Sequence, residues 1–119
     1  MFDHLGLRVK DLDASVRFYE AALKPLGYVL CSHAENSAGL GPEGAPALWL
    51  YADSKTAAGA HVAFSATSHS AVEKFHHAGL AAGGRDNGEA GVRADYSPKY
   101  FAAFLLDPDG NNVEAVCMK

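Results

Sequence analysis

Two histidines and one glutamate, His4, His61 and Glu114, combine residue type and position in a way that points to chemistry. Around His4 the apolar residues Leu5, Leu7 and Val9 alternate with His4, Gly6 and Arg8, so on a strand the second set shares the face away from the apolar one. His61 opens a similar stretch, in which His61, Ala63 and Ser65 alternate with Val62 and Phe64. Glu114 sits in a third run, with Val113, Ala115 and Cys117 pointing the other way. An ionised carboxylate in so apolar a strand is costly unless a partner meets it. Two imidazoles and a carboxylate converging from three strands form a 2-His-1-carboxylate set. Such a set suits Fe(II), Mn(II), Ni(II), Co(II) or Zn(II), with coordination positions left for substrate oxygens. Each residue also has a plain structural reading, a hydrogen-bonded strand histidine or a salt-bridged glutamate.

Symmetry favours the chemical reading. The offset between His4 and His61, 57 positions, also superimposes Ala14 on Ala71, Phe18 on Phe75, Ala21 on Ala78, Leu23 on Leu80 and Gly27 on Gly84. The chain therefore reads as two copies of a βαβββ unit, Met1 to about Tyr51 and Ala60 to the end, within one domain. The two histidines occupy equivalent places in the copies, beside small residues that leave room for a ligand.

The positioning elements follow from local signals. Asp11 caps a helix to about Leu23, with Leu12, Val16, Tyr19 and Leu23 as its apolar stripe. Ser68 caps a second to about Leu80, with Val72, Phe75, His76 and Gly79 facing inward. Tyr28–Ser32 and Ala47–Tyr51 read as strands, with a short strand near Gly39 between turns. The closing stretch is a hairpin of Tyr100–Leu106 and Val113–Cys117 around Asp107-Pro108-Asp109-Gly110-Asn111-Asn112, a turn and not a calcium loop. Residues 83–99, rich in glycine, read as a long mobile loop bordering the site, with Arg93 or Tyr96 reaching a ligand. Arg8 shares the face of His4 and is a candidate for an anionic group. The remaining histidines, His33, His69, His76 and His77, read as structural.

Composition narrows the partners. The net charge is -4 with Lys and Arg scattered, which leaves no basic stripe for a nucleic acid. No signal-like N-terminus and no membrane-length apolar run are present, which predicts a cytoplasmic protein with Cys31 and Cys117 reduced. The partner expected is a small neutral or anionic organic molecule.

The segments HLGLRVKDLDASVRFYEAALKPLGY, HVAFSA and FAAFLLDPDGNNVEAV resemble the vicinal oxygen chelate superfamily, which includes glyoxalase I, extradiol dioxygenases, fosfomycin-resistance thiol transferases and bleomycin-resistance proteins. The resemblance implies an α+β fold of two βαβββ modules forming a half-open barrel, often in a homodimer, with a divalent metal held by His4, His61 and Glu114. Glyoxalase I carries a further glutamate at the end of its first module, where this chain has Trp49, so a glyoxalase-type proton transfer lacks one of its bases. The expectation is a metal-dependent enzyme, of lyase or isomerase, dioxygenase or thiol transferase type, with Glu114 catalytic and Arg8, Trp49, Arg93 and Tyr96 contacting substrate. Its substrate would chelate the metal through neighbouring oxygens. The alternatives are a fosfomycin-type thiol transferase and a metal-free binding protein of the bleomycin-resistance kind.

Overall fold

A computed structural model describes the whole chain, Met1–Lys119. The first module runs β1 (Leu5–Val9), α1 (Leu12–Leu23), β2 (Val29–His33), β3 (Ser37–Gly41) and β4 (Leu48–Ala52). The second repeats it as β5 (His61–Ser65), α2 (His69–Ala81), β6 (Arg85–Val92), β7 (Phe101–Leu106) and β8 (Asn112–Cys117). Each makes one open four-stranded sheet, ordered β1-β4-β3-β2 and β5-β8-β7-β6, with the first and last strands of each module parallel. The predicted α+β architecture of two βαβββ modules is the one observed. No helix is long and apolar enough to cross a membrane.

The helices start where their caps place them. Asp11 accepts the Ala14 amide at 3.1 Å and Ser68 accepts the Ala71 amide at 3.0 Å. A 3-10 turn at Lys24–Leu26 follows α1, and Gly27, at φ 90°, ends it in the left-handed conformation with its N–H on the Lys24 carbonyl. Leu12, Val16, Tyr19 and Leu23 are all buried, as are Val72, Phe75 and Gly79 on α2.

α1 covers one face of its own sheet, α2 covers one face of the other, and the helices pack on each other. A single core therefore runs through both covered faces, from Leu7, Val9, Leu40 and Leu50 to Leu105, Val113 and Ala115. The helix crossing is close because of Gly79: a Cβ there would collide with Leu105 and stand 3.2 Å from Phe18. A buried polar link joins the modules beside this core. Asp107, in the β7–β8 turn, accepts the Tyr19 hydroxyl of α1 at 2.5 Å, together with the amides of Asp109 and Asn111 and the Asn111 side chain.

Residues 83–99 depart from the expected loop. Arg85–Val92 is a full strand, β6, paired antiparallel with β7 through two register shifts near Gly88. Its glycines serve bulges and close approaches rather than a free loop.

Candidate functional site

The polar residues gather on the sheet faces that the helices leave open. In the second sheet the register sets Ala63 of β5 on one side of Glu114 and Phe104 of β7 on the other. His61 lies one step along, beside Asn112. Glu114 is 2% exposed, and both its oxygens are met. The Tyr100 hydroxyl donates to Oε2 at 2.8 Å, and His61 Nε2 stands 2.9 Å from Oε1. His61 Nδ1 lies 3.2 Å from the Asn112 carbonyl oxygen, which can only accept, so Nδ1 carries a proton and Nε2 faces the carboxylate. Nε2 is thus the ring nitrogen in contact with Oε1.

Tyr100 did not stand out in the sequence, because it reads as the start of an apolar run. Burial, and the Glu114 carboxylate that accepts its proton, push the Tyr100 phenol up to about 12. It therefore remains a donor throughout the neutral range. Tyr96 meets its ring edge-on at 5.0 Å.

Of the two residues expected to reach a ligand, Arg93 and Tyr96, the structure engages Arg93 within its own chain. The Arg93 guanidinium donates to the carbonyls of Glu89 and Gly91 at 2.7 and 2.9 Å and lies over the Phe104 ring. Its own amide donates to the Tyr100 carbonyl at 2.7 Å. Arg93 thus closes the turn that delivers Tyr100 to Glu114, while Tyr96 is largely exposed.

In the first sheet, Gly6 pairs with Trp49 as Ala63 pairs with Glu114 in the second. Since Gly6 and Ala63 are repeat mates, Trp49 is the structural counterpart of Glu114. Where one module has a carboxylate the other has an indole. Arg8 stands on the same open face, with one long contact of 3.4 Å to Asp53.

His4 precedes β1 with its ring half exposed and Nδ1 2.6 Å from Asp3 Oδ1. As with His61, an oxygen holds Nδ1; His4 Nε2 makes no hydrogen bond within the chain. With Phe2, Asp3 and Leu5 it borders a mostly apolar cavity of about 300 Å³ that reaches Val62 and Phe64 but includes neither His61 nor Glu114. No three His, Cys, Asp or Glu side chains stand close enough to hold a metal ion. The three expected ligands therefore do not meet within one chain: His61 and Glu114 come together and His4 does not join them. The modules associate through their helices, and β1 and β5 are both left as sheet edges. Strand alternation predicts which face a side chain takes, and it carries no information on how two sheets are set against each other.

Over residues 1–115 the sequence matches the family model described as the Glyoxalase/Bleomycin resistance protein/Dioxygenase superfamily. The chain belongs to this superfamily. Among solved structures, a glyoxalase/bleomycin resistance protein from Albidiferax ferrireducens T118 is similar over 100% of this chain and 99% of that one, at 28% identity and a TM-score of 0.86. A glyoxalase/bleomycin resistance protein/dioxygenase family enzyme from Burkholderia phytofirmans PsJN shares the fold over 98% of both chains, at 17% identity and a TM-score of 0.74. A glyoxalase-related enzyme from Fulvimarina pelagi does so over 95% of this chain and 84% of that one, at 19% identity and a TM-score of 0.73. No curated protein matches the sequence. The superfamily commonly uses a divalent metal. In this chain the donor set fits one in part: an imidazole with its tautomer fixed and a carboxylate with its orientation fixed, short of a third ligand.

Proposed function

We propose that this protein is a homodimeric, divalent-metal-dependent enzyme that acts on a small molecule, its metal held by His61 and Glu114 of one protomer and His4 of the other. The observation that carries this reading is the matched preparation of the two histidines. Each has Nδ1 held by an oxygen, Asp3 for His4 and Asn112 for His61, which leaves Nε2 as the ligating nitrogen. His4 Nε2 has no partner within its own chain, and the His61–Glu114 pair lacks a third donor. A two-fold arrangement bringing β1 of one copy to β5 of the other would cover these two of the four sheet edges and bring the halves together. The ion would supply Lewis acidity to substrate oxygens. The chain's own residues would orient the site: Tyr100 holds one Glu114 oxygen, leaving the other for the ion or for a substrate proton.

The rival reading is a metal-free binding protein, in which the His61–Glu114 hydrogen bond is complete as it stands. A mixing experiment separates the two. His4→Ala and Glu114→Ala proteins should each bind little Mn(II), Ni(II) or Zn(II). When the two are unfolded and refolded together, about one quarter of the parental metal content should return, because each mixed dimer regains one intact site. A clean monomer on sizing, or no recovery on mixing, refutes the shared centre.

A further inference from the structure

On the open face of the first sheet, Trp49 of β4 is flanked by glycine on both neighbouring strands, Gly6 of β1 and Gly39 of β3. A Cβ on Gly39 would stand 2.8, 2.9 and 3.0 Å from three successive atoms of the indole's six-membered ring. Three near-equal distances mean that the ring lies face-down on the Gly39 backbone. Tyr51 leans the same way, its ring edge 3.1 Å from where a Cβ on Gly6 would be. Side chains at positions 6 and 39 would lift both rings. With glycine there, the indole of Trp49 forms a flat floor on the sheet, with the Tyr51 ring, 45% exposed, edge-on to Gly6 beside it.

Beside this floor, Arg8 pairs across the strands with Tyr51 and has a side chain that is 75% exposed. Its single protein contact, to Asp53 at 3.4 Å, is too long to neutralise it well. A flat π surface with a little-engaged guanidinium at its margin is complementary to a planar ring bearing an anionic group. The opposite sheet's site has no such floor, because the place of Trp49 is taken there by Glu114.

We infer that the molecule bound by this protein carries a planar, conjugated ring with an anionic substituent, the ring stacked on Trp49 and the anion directed to Arg8. This names a ligand class for the proposed site and rests on that reading only in taking the first sheet's open face as one of its walls. Trp49 would then set specificity by shape, where its counterpart Glu114 acts by charge. A saturated ring of the same carbon skeleton is puckered, so it loses face-to-face contact while keeping the charge.

Trp49 is the only tryptophan of the chain, so its fluorescence reports on this position directly. The full-length protein would be titrated with benzoate, salicylate and cyclohexanecarboxylate while Trp49 emission is followed. The aromatic acids should quench Trp49 and bind at least about tenfold more tightly than the saturated acid, which corresponds to the stacking of one ring. Trp49→Leu, followed by calorimetry, should erase that preference, and Arg8→Gln should weaken all three acids alike. Equal affinity for benzoate and cyclohexanecarboxylate in the unaltered protein overturns the inference without any variant. Metal content measured on the same samples keeps the two ideas apart. An aromatic preference without metal removes the shared centre and leaves the floor; a shared metal without the preference does the reverse.

Discussion

The Tyr100 hydroxyl donates to Glu114 Oε2 over 2.8 Å, from a turn that Arg93 pins to the backbone at its other end. Glu114 is nearly inaccessible, so the phenol's hydrogen bond replaces a solvation that water cannot supply. The same contact leaves Oε1 directed at His61. Removing it should act on both stability and the site.

Tyr100→Phe is expected to cost about 1–3 kcal/mol of unfolding free energy, the range for a buried polar group left unpaired. If metal is bound as proposed, affinity should fall about 10- to 100-fold, as happens when the partner that orients a ligand is lost. Denaturant titration and calorimetry with Mn(II) read the two separately. An unchanged midpoint would show that the contact is not held in solution. Because the folded phenol is raised to about 12, its stabilising effect is complete below the ordinary tyrosine range, ~10, and is lost as pH climbs through the folded value. The phenylalanine variant should show a shallower alkaline loss.

Tyr19 and Asp107 make the corresponding link between modules. Asp107 is 1% exposed and accepts four hydrogen bonds, of which only the one from Tyr19 crosses from α1 to the second module. Burial, and then the Asp107 charge, hold the Tyr19 phenol well above its usual range, so it does not ionise where the protein would be assayed. Tyr19→Phe should lower stability by about 1–3 kcal/mol with an unchanged denaturant slope. Asp107→Ala should cost more, since three turn donors lose their acceptor as well. A drop in slope for either variant would instead mean that the modules unfold separately.

The sequence made the repeat, both helices and the side-chain faces legible because each rests on short-range chemistry. Asp11 and Ser68 cap where a side-chain oxygen can reach an amide three residues on, and His61 and Glu114 share a face because strand side chains alternate. β6 was not legible. Asn87, Gly88 and Gly91 are poor strand residues, and the strand exists because β7 templates it through irregular pairing. Arg93 reads in sequence as a residue of a loop, placed to reach a ligand, and its guanidinium is taken up by two nearby carbonyls. The separation of His4 from His61 and Glu114 belongs to the packing of Phe18, Ala22 and Gly79 at the helix crossing, which no local pattern announces.

That crossing gives a packing prediction. Gly79→Ala would drive a methyl into Leu105 and against Phe18, and overpacking of this kind costs about 1–3 kcal/mol. Ordinarily alanine is favoured over glycine inside a helix by about 1 kcal/mol. Thermal unfolding of Gly79→Ala therefore decides which effect wins, and a lower midpoint is expected. A higher one would show that the helices separate at little cost.

Asp86 supplies a test at low pH. The Gly88 amide, at 2.9 Å, and the His76 ring beside it hold the Asp86 carboxyl below its ordinary range. A depressed carboxylate stabilises the fold above its unfolded value, ~3.9, and that contribution is lost as pH falls through the lower folded value. Asp86→Asn should therefore lower stability near neutrality and flatten the acid limb of the stability curve, so that parent and variant converge below the folded value of Asp86. Superimposable acid limbs for parent and variant would remove Asp86 from the account.

Trp49→Glu tests the repeat relationship and the shared site at once. The register places residue 49 where the second module has Glu114, and glycines on both sides leave space for a carboxylate. In a lone protomer that carboxylate has no nearby donor set and should be a solvated charge with little effect on metal binding. In the proposed dimer it would face His61 and Glu114 of the other copy as an additional oxygen ligand. Affinity for Mn(II) or Ni(II) should then rise about tenfold or more, in step with the net charge added to the donor set. The same substitution removes the aromatic floor, so the preference for benzoate over cyclohexanecarboxylate should vanish as the metal tightens. Calorimetry with each ligand on the same preparation reads both changes. A metal affinity that does not move, in a protein shown by sizing to be dimeric, would mean that the two open faces do not meet and that Trp49 is not the counterpart of Glu114 in function.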